Sequence, residues 1–170
     1  LATIHTPLAD VPGKLDRLML VQTGRVVGEA LRRDFGIAHP HIALCGLNPH
    51  AGEGGAIGHE EIEIINPAAA ILRTEGWDIS DARSADALFH EEARRSHDAV
   101  IALYHDQGLI PIKTLHFWDG VNVTLGLPIV RASPDHGTGF DIAGKGLARP
   151  DSVRAAMAMA WAMAERRARA

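Results

Sequence analysis

The run 98–104, DAVIALY, carries no charged residue after its first position. A strand that is apolar on both faces must be covered on both faces, which places it in a parallel sheet flanked by helices. A second run at 41–47, HIALCGL, reads the same way, and residues 1–4 read as a short apolar strand already under way. Residues 121–125 alternate as a half-buried strand does, and 128–132 read as another short strand. Between these runs lie amphipathic segments. In 14–34, Val26, Val27, Ala30 and Leu31 recur at helical spacing, Pro7 and Pro12-Gly13 break the chain beforehand, and Gly36 is placed to end the helix. Residues 60–75 read as a helix with acids in its first turn, and Asn66-Pro67 predicts a kink or a second start. Residues 86–96 and 153–167 read as two more helices, the last capped by Ser152 and packing Met157, Met159, Trp161 and Met163 into a core. Strands alternating with helices predict an α/β fold with a largely parallel sheet, in one unit with no internal boundary.

Composition excludes several classes. With 46% hydrophobic and 22% charged residues the chain belongs among ordered globular proteins, and 170 residues suffice for a core. The net charge of −4 and the lack of a long basic stretch argue against a nucleic-acid partner. The one basic cluster, Arg166, Arg167 and Arg169, suits the end of a helix. No apolar run reaches membrane-spanning length, and no signal peptide is recognisable. The lone cysteine, Cys45, lies inside an apolar strand and has no internal disulfide partner, which points to a reducing compartment, the cytoplasm.

Ten histidines need an account. Three of them close apolar strands: His5 in LATIH, His50 in IALCGLNPH and His105 in AVIALYH. In open α/β sheets ligands sit beyond the carboxyl ends of the strands. Three imidazoles delivered there fit one divalent cation with a position open for substrate. The plainer alternative is three polar residues where strands give way to loops. His39, His41, His59, His90, His97 and His116 have no such placement and read as surface residues. The loop NPHAGEGG at 48–55 offers bare backbone that a ligand can approach closely. Its glycines run G-x-G-x-x-x-G through GEGGAIG, which is not a dinucleotide fingerprint.

After His105 come Lys113, Asn122 and Arg131. Lys113 interrupts an apolar run, and charge is costly to bury unpaired. Solvent exposure explains it and Arg131 equally well; the sharper reading is a grip on an acidic or phosphorylated small molecule. The stretch 135–150, DHGTGFDIAGKGLARP, is a loop of small residues. It reads as a turn-rich connection or as a bed for a flat ligand, with Asp141 on ribose hydroxyls.

Taken in order, IHTPL, LNPHAGEGG, YHDQGLIPIK, VNVTLGLPIVR and DHGT resemble the 4-hydroxythreonine-4-phosphate dehydrogenase family of vitamin B6 biosynthesis. The resemblance spans nearly the whole chain. HGTGFDIAGKG is also similar to the adenine-side loop of the wider isocitrate and isopropylmalate dehydrogenases. It implies an isocitrate-dehydrogenase-like α/β/α sandwich and a homodimer with active sites at the interface. It further implies that these residues are the C-terminal portion of a two-subdomain enzyme. The metal role falls on His5, His50 and His105, with ligands from both subunits. Substrate contacts fall on Lys113, Asn122 and Arg131. His136, Gly137, Thr138 and Asp141 are placed near NAD or NADP.

The implied reaction is oxidation of a secondary hydroxyl of 4-phosphooxy-L-threonine, with hydride passing to nicotinamide, followed by loss of carbon dioxide. Asp106 and Lys113 are candidates for the proton-transferring group. Asp86 reads either as an orienting partner of a metal histidine or as a helix N-cap. The metal is zinc, cobalt, magnesium or manganese, with histidines favouring the first two.

Nothing upstream of Leu1 matches the family's N-terminal substrate-binding region, so the chain alone is expected to keep its histidines and lack activity. Rival readings keep the motifs but change the substrate, to a phosphorylated four-carbon sugar acid or an aromatic cis-dihydrodiol carboxylate. A rival of another class is a non-catalytic metal-binding or dimerisation module. A phosphate-binding acyltransferase has no use for three strand-end histidines.

Overall fold

The computed structural model describes residues 1–169. A 3-10 turn at Leu8–Asp10 leads into α1 (Val11–Lys14), and α2 (Arg17–Arg33) follows. Asp16 starts α2 by accepting a hydrogen bond from the Met19 backbone N–H at 2.9 Å. Gly36, at φ 75°, turns the chain after α2 ends, as its position predicted. Next comes β1 (His41–Cys45), whose Ile42, Ala43, Leu44 and Cys45 are all fully buried. A π-helical turn (Glu61–Ile65) flows into α3 (Asn66–Thr74). The predicted interruption at Asn66-Pro67 is this change of pitch: the wider turn accommodates a proline that has no N–H to give.

There follow β2 (Asp78–Arg83), α4 (Glu91–Arg94), β3 (Ala99–Ile101), α5 (His105–Leu115), β4 (Val121–Thr124), β5 (Arg131–Pro134) and α6 (Asp151–Arg169). One sheet has the order β2-β1-β3 with both pairings parallel. Residues 1–4 do not form the expected regular strand. They run beside β3 in the same direction, held by two backbone bonds, Ala2 to Ala102 at 2.8 Å and Thr3 to Leu103 at 3.1 Å. The buried Thr3 hydroxyl adds a third bond to the Leu103 carbonyl at 2.7 Å.

The parallel expectation holds for this sheet. The last two strands differ: β4 and β5 form a separate antiparallel pair, with Asn122 opposite Ser133 and Thr124 opposite Arg131. α6 packs against them.

Four local expectations are corrected. Residues 86–96 are not one helix but a 3-10 turn (Ala85–Ala87) and the four-residue α4, which His90 caps through its ring nitrogen. β5 starts at Arg131, three residues later than the apolar pattern placed it. Ser152 does not cap the final helix. It lies inside it, buried, donating to the Gly120 carbonyl at 2.7 Å and accepting from the Asp135 N–H at 3.0 Å. Of Met157, Met159, Trp161 and Met163 only Met163 is buried, while Met157 and Trp161 are 68% and 70% exposed. β4, β5 and α2 pack against this helix, whose buried residues are Ser152, Ala156 and Met163.

The basic tail does complement a helix end, that of α2. Arg167 makes a two-pronged contact with the fully buried Asp34, at 2.7 and 2.9 Å. Arg33 also grips Asp34, from within α2.

Candidate active site

The topology delivers the strand ends to one edge. Segment 1–4, β3 and β1 lie side by side and run the same way, so their carboxyl ends point together. Thr3 anchors the first segment to the end of β3, and His5 and His105 then face each other with ring centroids 5.8 Å apart. His105 opens α5. Its Nδ1 lies 2.7 Å from Asp106 Oδ1, so Nδ1–H donates to the carboxylate and Nε2 is the ring nitrogen available to a ligand. A cleft of about 430 Å³ lies between residues 4–8 and 104–106.

Gln107, buried behind them, ties β3 to β1: its carbonyl accepts from Leu103 N–H at 2.7 Å and its amide donates to the Gly46 carbonyl at 2.8 Å. The sequence reading passed over Gln107, although a polar residue one turn into a helix against two buried strands is a recognisable signal.

β1 ends in a turn over Pro49–Gly55 of unusual hand. His50, Ala51, Gly52, Glu53 and Gly54 all have positive φ, between 47° and 78°. Three of these are not glycine, and left-handed backbone costs each about 1–2 kcal/mol. The buried carboxylate of Glu61 holds the start of this turn. Its Oε1 accepts from Leu47 N–H at 2.7 Å and Asn48 N–H at 2.8 Å, and its Oε2 accepts from the Asn48 amide at 2.9 Å. Glu60 takes the same amide at 2.7 Å, and this bond holds the Glu60 carboxyl below its usual range.

Glu61 and Asn48 were also missed. The signal was present: Glu61, Ile65, Ala68, Ala69 and Leu72 form one buried helical stripe, and a carboxylate in such a stripe needs partners.

His50 is exposed, near Asp86. The Ser84 hydroxyl, donating at 2.6 Å, holds the Asp86 carboxyl below the usual range, and the charge of His50 acts in the same direction. Asp86 is not a helix N-cap: Ser84 precedes the 3-10 turn and His90 caps α4. Cys45, in the floor of the sheet, is buried, and its thiol is pushed up to about 12 by desolvation. Of the histidines set aside as surface residues, His39, His59, His90 and His116 are exposed, and His41 and His97 are half-buried.

Two imidazoles on neighbouring segments, one with its second nitrogen held by a carboxylate, suit zinc or cobalt in donor chemistry. Among the described residues of one chain, no three His, Cys, Asp or Glu side chains gather closely enough to hold a metal ion. His50 thus stands outside the His5–His105 pair.

Lys113, on α5, is engaged with Asp135: it bonds the Asp135 carbonyl, and its ammonium lies 2.9 Å from the carboxylate. Asn122 and Arg131 share one face of the β4–β5 pair, and Arg131 donates to Thr124 Oγ1 at 2.7 Å. Asn122 and Asp135 also line the edge of a larger, mostly apolar groove of about 940 Å³ between α2 and α5. Immediately after Asp135, His136, Gly137 and Thr138 lie exposed, His136 donating to the Gly137 carbonyl at 2.9 Å. Asp141 is exposed on a 3-10 turn, Phe140–Ile142.

The model of the pyridoxal phosphate biosynthetic protein PdxA family matches residues 1–160. The chain belongs to this family. It is 61% identical over 168 residues to a 4-hydroxythreonine-4-phosphate dehydrogenase of Maricaulis maris, covering 99% of this chain and 49% of that protein. The crystal structure of the Klebsiella pneumoniae 4-hydroxythreonine-4-phosphate dehydrogenase superposes with a TM-score of 0.83 at 42% identity, over 98% of this chain and 49% of that one. A terephthalate 1,2-cis-dihydrodiol dehydrogenase from Burkholderia xenovorans gives 0.75 at 37% identity, over 93% of this chain and 50% of that one. The chain thus spans about half the length of the curated relatives it matches, and the PdxA fold is shared by relatives with different substrates.

Proposed function

We infer that this chain is the C-terminal, metal-site portion of a two-subdomain 4-hydroxythreonine-4-phosphate dehydrogenase. That enzyme, cytoplasmic and homodimeric, oxidises and decarboxylates 4-phosphooxy-L-threonine to 3-amino-2-oxopropyl phosphate with NAD or NADP. The observation that carries the reading is the pairing of His5 and His105 at the carboxyl edge of the parallel sheet, beside the turn that bears His50. His5, His50 and His105 would hold the cation, a second chain completing the set as the family resemblance implies. When bound, the divalent metal would supply stabilisation of negative charge on a substrate oxygen, and the nicotinamide would supply a hydride acceptor.

The chain's own residues have separate tasks. Asp106 keeps His105 in the tautomer that exposes Nε2. Asp86, near His50, would support it as an orienting carboxylate. Arg131 and Asn122, on one sheet face, offer a cation and an amide to a phosphate. Lys113 carries the second cation, and an incoming phosphate competes with Asp135 for it. His136, Gly137, Thr138 and Asp141 sit on the loop beyond Asp135, as a cofactor-binding segment adjoining the substrate grip. Lys113 and Asp106 remain the candidates for proton transfer. Without the other half of the enzyme, the 170-residue chain is expected to be inactive.

A second reading, oxidation of an aromatic cis-dihydrodiol carboxylate, has the Burkholderia structure in its favour. Two cations and an amide on the substrate side favour the phosphorylated substrate.

The test uses the full-length protein. Metal content is measured for wild type and for His5→Ala, His50→Ala and His105→Ala, and turnover is assayed with NAD and NADP on both substrate classes. Each substitution is expected to remove most of the bound metal, and turnover is expected on the phosphorylated hydroxy acid. Metal retained in all three variants would overturn the site; turnover on the dihydrodiol alone would favour the second reading.

A further inference from the structure

We propose that Glu61 is a positioning residue of this site, setting where His50 stands by pinning the first residues of the left-handed turn. The proposal rests on the reading of His50 as a metal ligand. Glu61 is 2% exposed and has no cationic partner among its contacts. Its charge is met by three N–H donors, all from Leu47 and Asn48, the two residues that lead into Pro49-His50. A buried carboxylate satisfied in this way fixes those donors in direction as well as distance.

The surroundings leave no slack. A Cβ on Gly52 would lie 2.6 Å from Glu61 Oε2, and one on Gly46 would lie 3.2 Å from Oε1. The carboxylate is therefore wedged between the end of β1 and the turn itself. Backbone strain of this kind persists only where its surroundings over-determine it, and it clusters at ligand-holding sites. Glu61 itself sits in a π-helical turn, a local irregularity that is also concentrated at functional positions. The exposed His50 sits on the strained side of this clamp, and its side chain makes no hydrogen bond within the described residues. What orients it is the backbone that Glu61 secures.

Cobalt(II) titrated into the full-length, metal-free protein tests the idea, with affinity from equilibrium dialysis and ligand geometry from visible absorption bands. Glu61→Gln keeps the shape and replaces one acceptor oxygen with a donor. It is expected to weaken cobalt binding about 10–100-fold and to shift the bands, as loss of a group supporting a ligand does. Glu61→Asp, which restores the carboxylate on a shorter stem, is expected to recover part of that loss. Unchanged affinity and spectrum in folded Glu61→Gln would overturn the proposal and leave the carboxylate a purely stabilising role.

Should Glu61→Gln fail to fold, Asn48→Ala decides, because it removes one donor and keeps both backbone bonds. A several-fold loss of affinity supports positioning, and no loss overturns it. His50→Ala separates the two levels of the argument. If it binds cobalt like wild type, the reading of His50 as a ligand fails, and the role of Glu61 fails with it. If His50→Ala loses the metal while Glu61→Gln does not, only the positioning role is wrong.

Discussion

Single atoms set the limits of the turn after β1. Gly58 has an ordinary backbone, yet a Cβ there would lie 2.1 Å from the Asn48 amide nitrogen. That amide is held by Glu60 and Glu61 together, so it cannot step aside without losing both bonds. Gly58→Ala is expected to destabilise the protein by about 1–3 kcal/mol, as overpacking does. Gly13→Ala is the control: it lies in α1 with open space around it and is expected to be neutral or to stabilise by about 0.5–1 kcal/mol. Denaturant midpoints of the two variants check the contrast. The glycine-rich composition of 48–55 announced a special loop, but its left-handed course was not legible. The residues leading into it are pinned by the buried Glu61, which lies well downstream in the chain, and no local propensity reports that contact.

Among the elements, α6 shows what periodicity conveys and what it omits. The pattern in 153–167 is helical, and the helix forms. Which face is buried depends on what packs against it, and with β4, β5 and α2 against the helix the buried residues are Ser152, Ala156 and Met163. Met163→Ala is therefore expected to cost about 2–5 kcal/mol. Met157→Lys and Trp161→Lys, at largely exposed positions, are expected to change stability by about 0.5 kcal/mol or less. Thermal melts of the three variants of this chain test the assignment of faces, and equal losses at Met157 and Met163 would reverse it. The same limit explains segment 1–4, which was read as a strand from its apolar residues. It lies where a strand would, but only two backbone bonds join it to Ala102 and Leu103, just past the end of β3. The helix expected over 86–96 is likewise interrupted: the 3-10 turn ends at Ala87, and His90 caps a separate short helix.

Across the whole molecule, the order of apolar runs carried the most information. Three apolar runs ending in histidine predicted His5, His50 and His105 at one sheet edge, because parallel strands finish on the same side; His5 and His105 do face each other there, and His50 stands apart from them. The tie between distant parts of the chain was not visible in that order. Asp34 closes α2, and Arg167 returns to it from 133 residues later in the chain. Arg167 also donates to the Leu127 and Pro128 carbonyls, so one guanidinium joins α2, the β4–β5 connection and α6. Asp34 is fully buried, and the Arg167 guanidinium first, then that of Arg33, holds its carboxyl well below the ordinary value of 3.8. A carboxyl whose folded pKa is depressed contributes stability that is complete above its unfolded pKa and is lost as the pH falls through the folded one. Asp34→Asn is thus expected to cost about 1.5–3 kcal/mol at neutral pH, the usual worth of hydrogen bonds to a charged group. The gap between wild type and variant is expected to persist down to about pH 5 and to narrow progressively below 3.8, as wild type alone loses the contribution. Denaturant titrations of both proteins at neutral pH and at about pH 3 measure that gap. A gap that stays constant, or widens, on acidification would show that the Asp34–Arg167 clasp does not hold the ends of α2 and α6 together through charge.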